Sequence, residues 1–313
     1  MRRVFAAVWV FWITLAATAQ DTARPSMDTA RPQEPVKPYP YEAEEVQFAN
    51  SGAGITLAGT LTLPPGKGKF PVVILIAGGG SNNRDEEIFQ HRPFLVIADA
   101  LTRRGVAVLR YDCRGIGQST GDFGKATTAD LATDVEAAIA YLRTRKEINA
   151  HRMGLIEHGE GAILAPMVAA RRGDVRFIVL LAGQGLRGKE VQLQRQQLMA
   201  QAGDSLGQDS MRHRPADYLA YDPDSALEQV RCPVLAMAGA KDLEVAPEDN
   251  LVAIGRALEK GGNRHFEVKE FPGLNHYFQE CTTGLLPEVA SIKETFSPVA
   301  LGYLTDWAWK QAK

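Results

Sequence analysis

Apolar positions along this chain fall into two rhythms. Residues 45–49 and 55–63 alternate apolar with polar or small side chains on either side of Ser51-Gly52-Ala53-Gly54, the pattern of an antiparallel hairpin. From residue 70 the pattern changes to short, continuous apolar runs at 70–77, 106–111, 153–156, 175–181 and 233–238, as expected of strands buried on both faces. A further strand is predicted over 265–271. Helical spacing fills the gaps, at 94–104 (stopped by Gly105), 129–146, 161–171, 247–260 and 298–310. Strands alternating with helices predict an α/β fold: a mostly parallel central sheet flanked by helices, with the hairpin at its N-terminal side. Residues 183–230 break the rhythm. They are polar and rich in Gln, with one clear helix near 189–202, and they read as an insert over about 184–230.

Composition changes this picture only at the N-terminus. The chain has 313 residues, 45% hydrophobic and 23% charged, with a net charge of −2. Those values are ordinary for a soluble globular protein and give no reason to expect nucleic acid or an anionic membrane as partner. Arg2 and Arg3 precede an apolar run from residue 4 to 16, and Ala17-Thr18-Ala19 follows as an A-x-A site. This predicts a signal peptide over 1–19, export to the periplasm or beyond, and no stable membrane association once it is cleaved. An uncleaved anchor is the competing reading. Asp21-Thr22-Ala23-Arg24-Pro25 repeats as Asp28-Thr29-Ala30-Arg31-Pro32, and Pro35, Pro38 and Pro40 follow. Residues 20–43 are therefore expected to be an extended or disordered linker, with the folded domain over 44–313. Cys113, Cys232 and Cys281 fit no metal spacing; one disulfide is possible in an exported protein, but buried free thiols are the simpler expectation.

The candidate chemistry centres on Gly154-Leu155-Ile156-Glu157-His158-Gly159-Glu160-Gly161-Ala162, between an apolar strand and a helix. A strand, sharp turn and helix of this kind resembles the nucleophile elbow G-x-S-x-G of the α/β-hydrolases, with Gly159 at the serine position. Other stretches extend the likeness: Ile76-Ala77-Gly78 leading to Asn83-Arg84-Asp85, the run from Leu109-Arg110-Tyr111-Asp112 to Gly121, Lys241-Asp242-Leu243-Glu244-Val245, and Phe271-Pro272-Gly273-Leu274-Asn275-His276. From about Val46 onward the chain resembles the bacterial carboxylesterases of the EstD type. That resemblance implies hydrolysis of short-acyl carboxylic esters without a cofactor, and an insert that acts as a cap over the site.

It also assigns positions. The family's serine falls on Gly159, its acid on Asp242 and its base on His276; both of the latter follow predicted strands at the rim where such sheets bind ligands. The oxyanion donors would be the Glu160 amide and one from Gly79, Gly80 or Ser81. Glu157 and Ala162 stand where the family has Gly, and the cap is shorter than usual. Asp249 and Glu244 are weaker candidates for the acid. Ser81, Ser119 and Cys113 sit on other loops with no strand behind them to aim them between base and oxyanion hole. Glu157 or His276 could instead activate water. No metal site is indicated, and the expected partner is a small acyl ester or a related ligand.

Three readings follow. The chain is an ester hydrolase whose serine-dependent activity is weak or absent, or a non-catalytic descendant that binds such a ligand, or a deliberate serine knock-out. The Glu157 substitution and the intact leader oppose the third. The leader reading is checked on the exported protein: N-terminal sequencing or intact mass is expected to give Gln20 as the first residue, and an uncleaved Met1 would support the anchor.

Overall fold

In the computed structural model, residues 31–78, 82–159, 163–203 and 217–313 are described. The strands are β1 (Glu42–Asn50), β2 (Ile55–Leu63), β3 (Phe70–Ala77), β4 (Ala107–Tyr111), β5 (Ile148–His158), β6 (Val175–Leu181), β7 (Val234–Gly239) and β8 (Phe266–Phe271). The helices are α1 (Pro93–Arg103), α2 (Thr128–Thr144), α3 (Leu164–Arg171), α4 (Gly188–Gln201), α5 (Asp224–Leu227), α6 (Pro247–Lys260), α7 (Leu286–Val289) and α8 (Pro298–Ala312). All strands join one sheet in the order β1-β2-β4-β3-β5-β6-β7-β8. β2 pairs antiparallel with both β1 and β4, while β3 to β8 run parallel. The predicted hairpin and the predicted mostly parallel sheet are both present.

The period of two sorts the strand residues onto two faces. Val72, Ile74, Ile76, Leu155, Ile178 and Leu180 meet α2, α3 and α6 in one core. Val73, Leu75, Ile156, Val179, Leu181 and Leu235 meet α1 and α8 in the other. These strands are continuous apolar runs because both faces are covered. The α2 helix starts on a capping box, in which Thr127 and Asp130 satisfy one another's backbone amides.

Strand order locates the site. From β3 the chain moves outward to β4, then crosses back to β5 on the other side of β3. The carboxyl ends of β3 and β5 therefore mark the switch point, where the connections diverge and leave a crevice. There the Gly78 amide donates to the His158 carbonyl at 2.8 Å.

The structure adds detail at two of the expected segments. Residues 31–41 have no helix or strand, as expected of the linker, but they are docked rather than loose. Arg31 donates to the carbonyls of Phe89, Ala290 and Ile292, Gln33 bonds Thr295 and Phe296, and Glu34 pairs with Arg92. A Pro-rich composition reports low apolar content and is blind to such polar docking. Of the insert, α4 and the segment from residue 217 are described, including α5, too short to show in the sequence pattern.

Gly154 exposes how tightly the sheet is filled. A Cβ there would lie 2.2 Å from the Phe177 ring on β6, which is fully buried and packs edge-on against Trp307. Gly154→Ala should cost about 1–3 kcal/mol by overpacking, and Phe177→Leu in the same chain should recover part of that loss. Chemical denaturation of the two variants checks the coupling.

Candidate active site

Each functional side chain is carried by a loop at the carboxyl edge of the sheet. Gly159 ends β5 with φ +87°, a left-handed conformation that glycine adopts freely and other residues only under strain. Its amide donates to the Leu181 carbonyl at 2.9 Å, which pins the turn to the end of β6.

Asp242 lies in the turn after β7. Its Oδ1 accepts from the amides of Glu244 (2.8 Å) and Val245 (2.9 Å), which orients Oδ2 toward His276 Nδ1 at 2.8 Å. His276 lies in the loop after β8. That loop is held by Asn275, whose Oδ1 accepts from the Tyr277 and Gln279 amides and whose Nδ2 donates to Gln279 Oε1. The two loops approach so closely that a Cβ on Gly239 would sit 2.3 Å from the Leu274 carbonyl oxygen.

The imidazole then stands over the elbow. A Cβ on Gly159 would lie 3.5 Å from His276 Nε2 and 3.5 Å from the Gly78 carbonyl oxygen. The structure thus brings Gly159, Asp242 and His276 together in the order and geometry of a triad whose first member lacks a side chain. His276 is buried; desolvation acts against its charged form, but Asp242 and Glu244 outweigh that and hold it up at about 9. The proposed oxyanion donors Glu160, Gly79 and Gly80 lie outside the described residues, as does Ser81.

Glu157 does not share this space. Alternation along β5 turns it toward the α3 face, where its oxygens accept from the amides of Leu164 (3.1 Å) and Ala165 (2.6 Å). It satisfies donors that a helix start leaves orphaned. Burial pushes its carboxyl up to about 8 against those hydrogen bonds. Its hydrogen bonds are those of a helix cap, and none runs to His276 or Asp242, so the expectation that it activates water at the site has no geometric support here.

The other candidates are placed elsewhere. Ser119 Oγ donates to the Asp112 carbonyl and accepts from the Ala58 amide, a loop-to-strand tie. Cys113 is buried, its thiol pushed up to about 12. Asp249 is on α6 and accepts from Gln194 of α4. Glu244 does border the site, accepting from the Tyr277 hydroxyl at 3.1 Å. All three cysteines are free thiols, and no group of His, Cys, Asp and Glu among the described residues could hold a metal ion.

Sequence reasoning passed over two groups. One is Arg195, buried on α4, whose guanidinium lies 3.8 Å from Glu244 and so brings the insert to the site's edge. The other is the Glu86–His158 pair, with Glu86 Oε2 at 2.9 Å from His158 Nδ1. Neither falls in a recognisable spacing, since each joins residues far apart in the chain; the sole clue was a His immediately before the elbow.

The buried Glu157 carboxyl generates a pH dependence. A carboxyl raised from 4.5 to about 8 opposes folding by an amount that begins above the unfolded value and is complete above about 8. Thermal unfolding from pH 5 to 9 should therefore show the native chain losing a few kcal/mol relative to Glu157→Gln, which cannot ionise. Parallel curves would mean that the carboxyl is not desolvated.

Residues 94–294 match the family model described as the prolyl oligopeptidase family of S9 peptidases. Esterase EstD of Thermotoga maritima is 27% identical over 259 residues, covering 76% of this chain and 60% of its own. This chain thus spans less than two thirds of that relative's length. Among solved structures, a Pyrococcus furiosus esterase superposes with a TM-score of 0.59 at 18% identity, covering 74% of this chain and 83% of its own. The Pyrococcus horikoshii acylaminoacyl peptidase gives 0.61 at 14%, covering 88% of this chain and 43% of its own. Est1E from Butyrivibrio proteoclasticus, solved with bound ferulic acid, gives 0.58 at 19%, covering 85% and 98%. On the family match, with the parallel sheet and its neighbours in support, the chain is an α/β-hydrolase of the prolyl oligopeptidase family.

Proposed function

We propose that this protein binds small carboxylic acyl esters at the Gly159–Asp242–His276 site and hydrolyses them slowly, with water in place of a serine hydroxyl. The observation that carries the proposal is the space over Gly159. The first side-chain atom of a nucleophile there would lie 3.5 Å from His276 Nε2, and glycine leaves that volume open. Water held by Nε2 would lose a proton to it as its oxygen adds to the ester carbonyl carbon. Collapse of the tetrahedral oxyanion then breaks the carbon–oxygen bond. The departing alkoxide takes the proton back from Nε2, leaving acid and alcohol. Asp242 accepts from Nδ1 and fixes the tautomer in which Nε2 is the free base. Membership of the prolyl oligopeptidase family supports a hydrolase, and the likeness to esterase EstD supports an ester as its ligand.

Catalysis on these terms is weak. Removing the serine of such a triad costs roughly 10⁶ in kcat, with roughly 10³–10⁴ over water remaining from binding and the oxyanion hole. The charge on His276 lowers it further, because a ring held at about 9 is largely protonated at pH 7 and cannot take a proton. The same observation favours a second reading, a binding protein in which the protonated Nε2 donates to an oxygen of a bound acyl ligand.

Hydrolysis of a short-chain aryl ester by the native chain, Gly159→Ser and His276→Ala separates the two. The hydrolase reading expects slow native turnover that rises with pH until about 9 and is abolished in His276→Ala. A silent native chain whose Gly159→Ser variant gains activity would leave the site intact as a binding pocket. The serine should also cost about 1–2 kcal/mol of stability, since it must adopt the left-handed conformation now held by Gly159.

A further inference from the structure

His158 precedes the elbow on β5, and alternation sends its ring to the face opposite Glu157. It is buried between two acceptors. Nε2 lies 3.0 Å from the backbone carbonyl oxygen of His276, and Nδ1 lies 2.9 Å from Glu86 Oε2. A carbonyl can only accept, so Nε2 carries a hydrogen. Nδ1 then either donates to an ionised Glu86 or accepts from a protonated one. Such a pair is costly to bury unless its remaining hydrogen bonds are made, and the His276 carbonyl makes one of them.

Glu86 comes from the loop after β3 and has φ +53°, unusual for a residue with a side chain. Strain of that size persists only where the surroundings impose it. Here Asn83 holds the turn, its carbonyl and Oδ1 accepting from the amides of Glu86, Asp85 and Glu87. Three loops therefore meet through one imidazole: the loop after β3, the elbow, and the loop carrying His276.

We propose that Glu86 and His158 form a positioning dyad, which fixes the backbone of His276 and so directs its Nε2 over Gly159. The inference rests on the reading of His276 as the working group of the site, whether as base or as donor. Neither dyad residue touches the reacting atoms; His158 acts through the His276 main chain, and Glu86 acts through His158 and through its charge. The dyad also sets the charge around the ring, alongside Asp242 and Glu244 from the turn after β7, Arg195 from α4 and Tyr277 beside it.

Nitrogen-15 NMR of histidine-labelled full-length protein tests this without turnover, so a silent esterase assay leaves the test intact and a failed dyad leaves the esterase reading standing. The His276 Nδ1–H signal is assigned by its loss in His276→Gln. In Glu86→Gln, which is isosteric, the titration midpoint of His276 is expected to fall by about half a unit to one unit, through loss of a carboxylate. In His158→Phe the Nδ1–H signal should move and exchange faster with solvent. His158→Gln, which still offers an amide donor to the His276 carbonyl, should restore it. A His276 signal and midpoint unchanged in Glu86→Gln would overturn the proposal, even if His158→Phe failed to fold.

Discussion

The hydrogen bond from the Gly78 amide to the His158 carbonyl joins the ends of β3 and β5 where the chain reverses its direction of winding. Everything at the site depends on that junction. It brings the carboxyl end of β3 beside that of β5, and it leaves a crevice because the connections on either side diverge. The acid and base then arrive from β7 and β8, whose carboxyl ends lie along the same edge. Gly239 and Gly159 matter for different reasons: a Cβ on Gly239 would strike the Leu274 and Asn275 carbonyls, and Gly159 holds a left-handed turn that glycine adopts freely. The site is a consequence of strand order, and side-chain chemistry is laid on top of it.

Most of this was legible in the pattern of residues. Continuous apolar runs marked the buried strands. Asp242 and His276 were readable because both follow a strand and fall in motifs of known order. The structure added what spacing cannot carry. Glu157 looked like a spare base until alternation along β5 turned it toward α3, where two amides already claim its oxygens. Its partners lie seven and eight residues on, across a turn whose path the sequence does not state. Glu86 and His158 are separated by 72 residues, and their meeting depends on β3 and β5 being neighbours. Residues 31–41 have the composition of a linker, yet their bonds run to carbonyls of distant loops, which have no signature in side-chain identity.

Glu157 and Gly159 belong to one local solution. An elbow with glycine before the nucleophile lets the following helix pack close to the strand. With Glu157 there, α3 begins at Leu164, five residues beyond Gly159, and the carboxyl occupies its start. A buried carboxyl held near 8 is a cost, and the left-handed turn that a serine would have strained is relaxed by glycine. The two residues thus move the energy of the turn in opposite directions, and Gly159→Ser alters only one of them.

Folding alone is enough to hold Asp242 and His276 together. Asp242 is buried, and its oxygens are satisfied by two amides and one imidazole. Deleting His276 would leave a buried carboxylate one partner short, and breaking such a pair costs about 3–5 kcal/mol. That is a large share of the roughly 5–15 kcal/mol that holds a domain together. A side chain at position 159 carries no comparable weight, because it would stand at the edge of the sheet and strain the left-handed turn. Physical cost is thus asymmetric across the site: position 159 can do without a side chain, and the buried Asp242–His276 pair cannot lose a member. An intact Asp–His pair is therefore evidence about the architecture of the edge, and the function has to be argued from what faces Nε2.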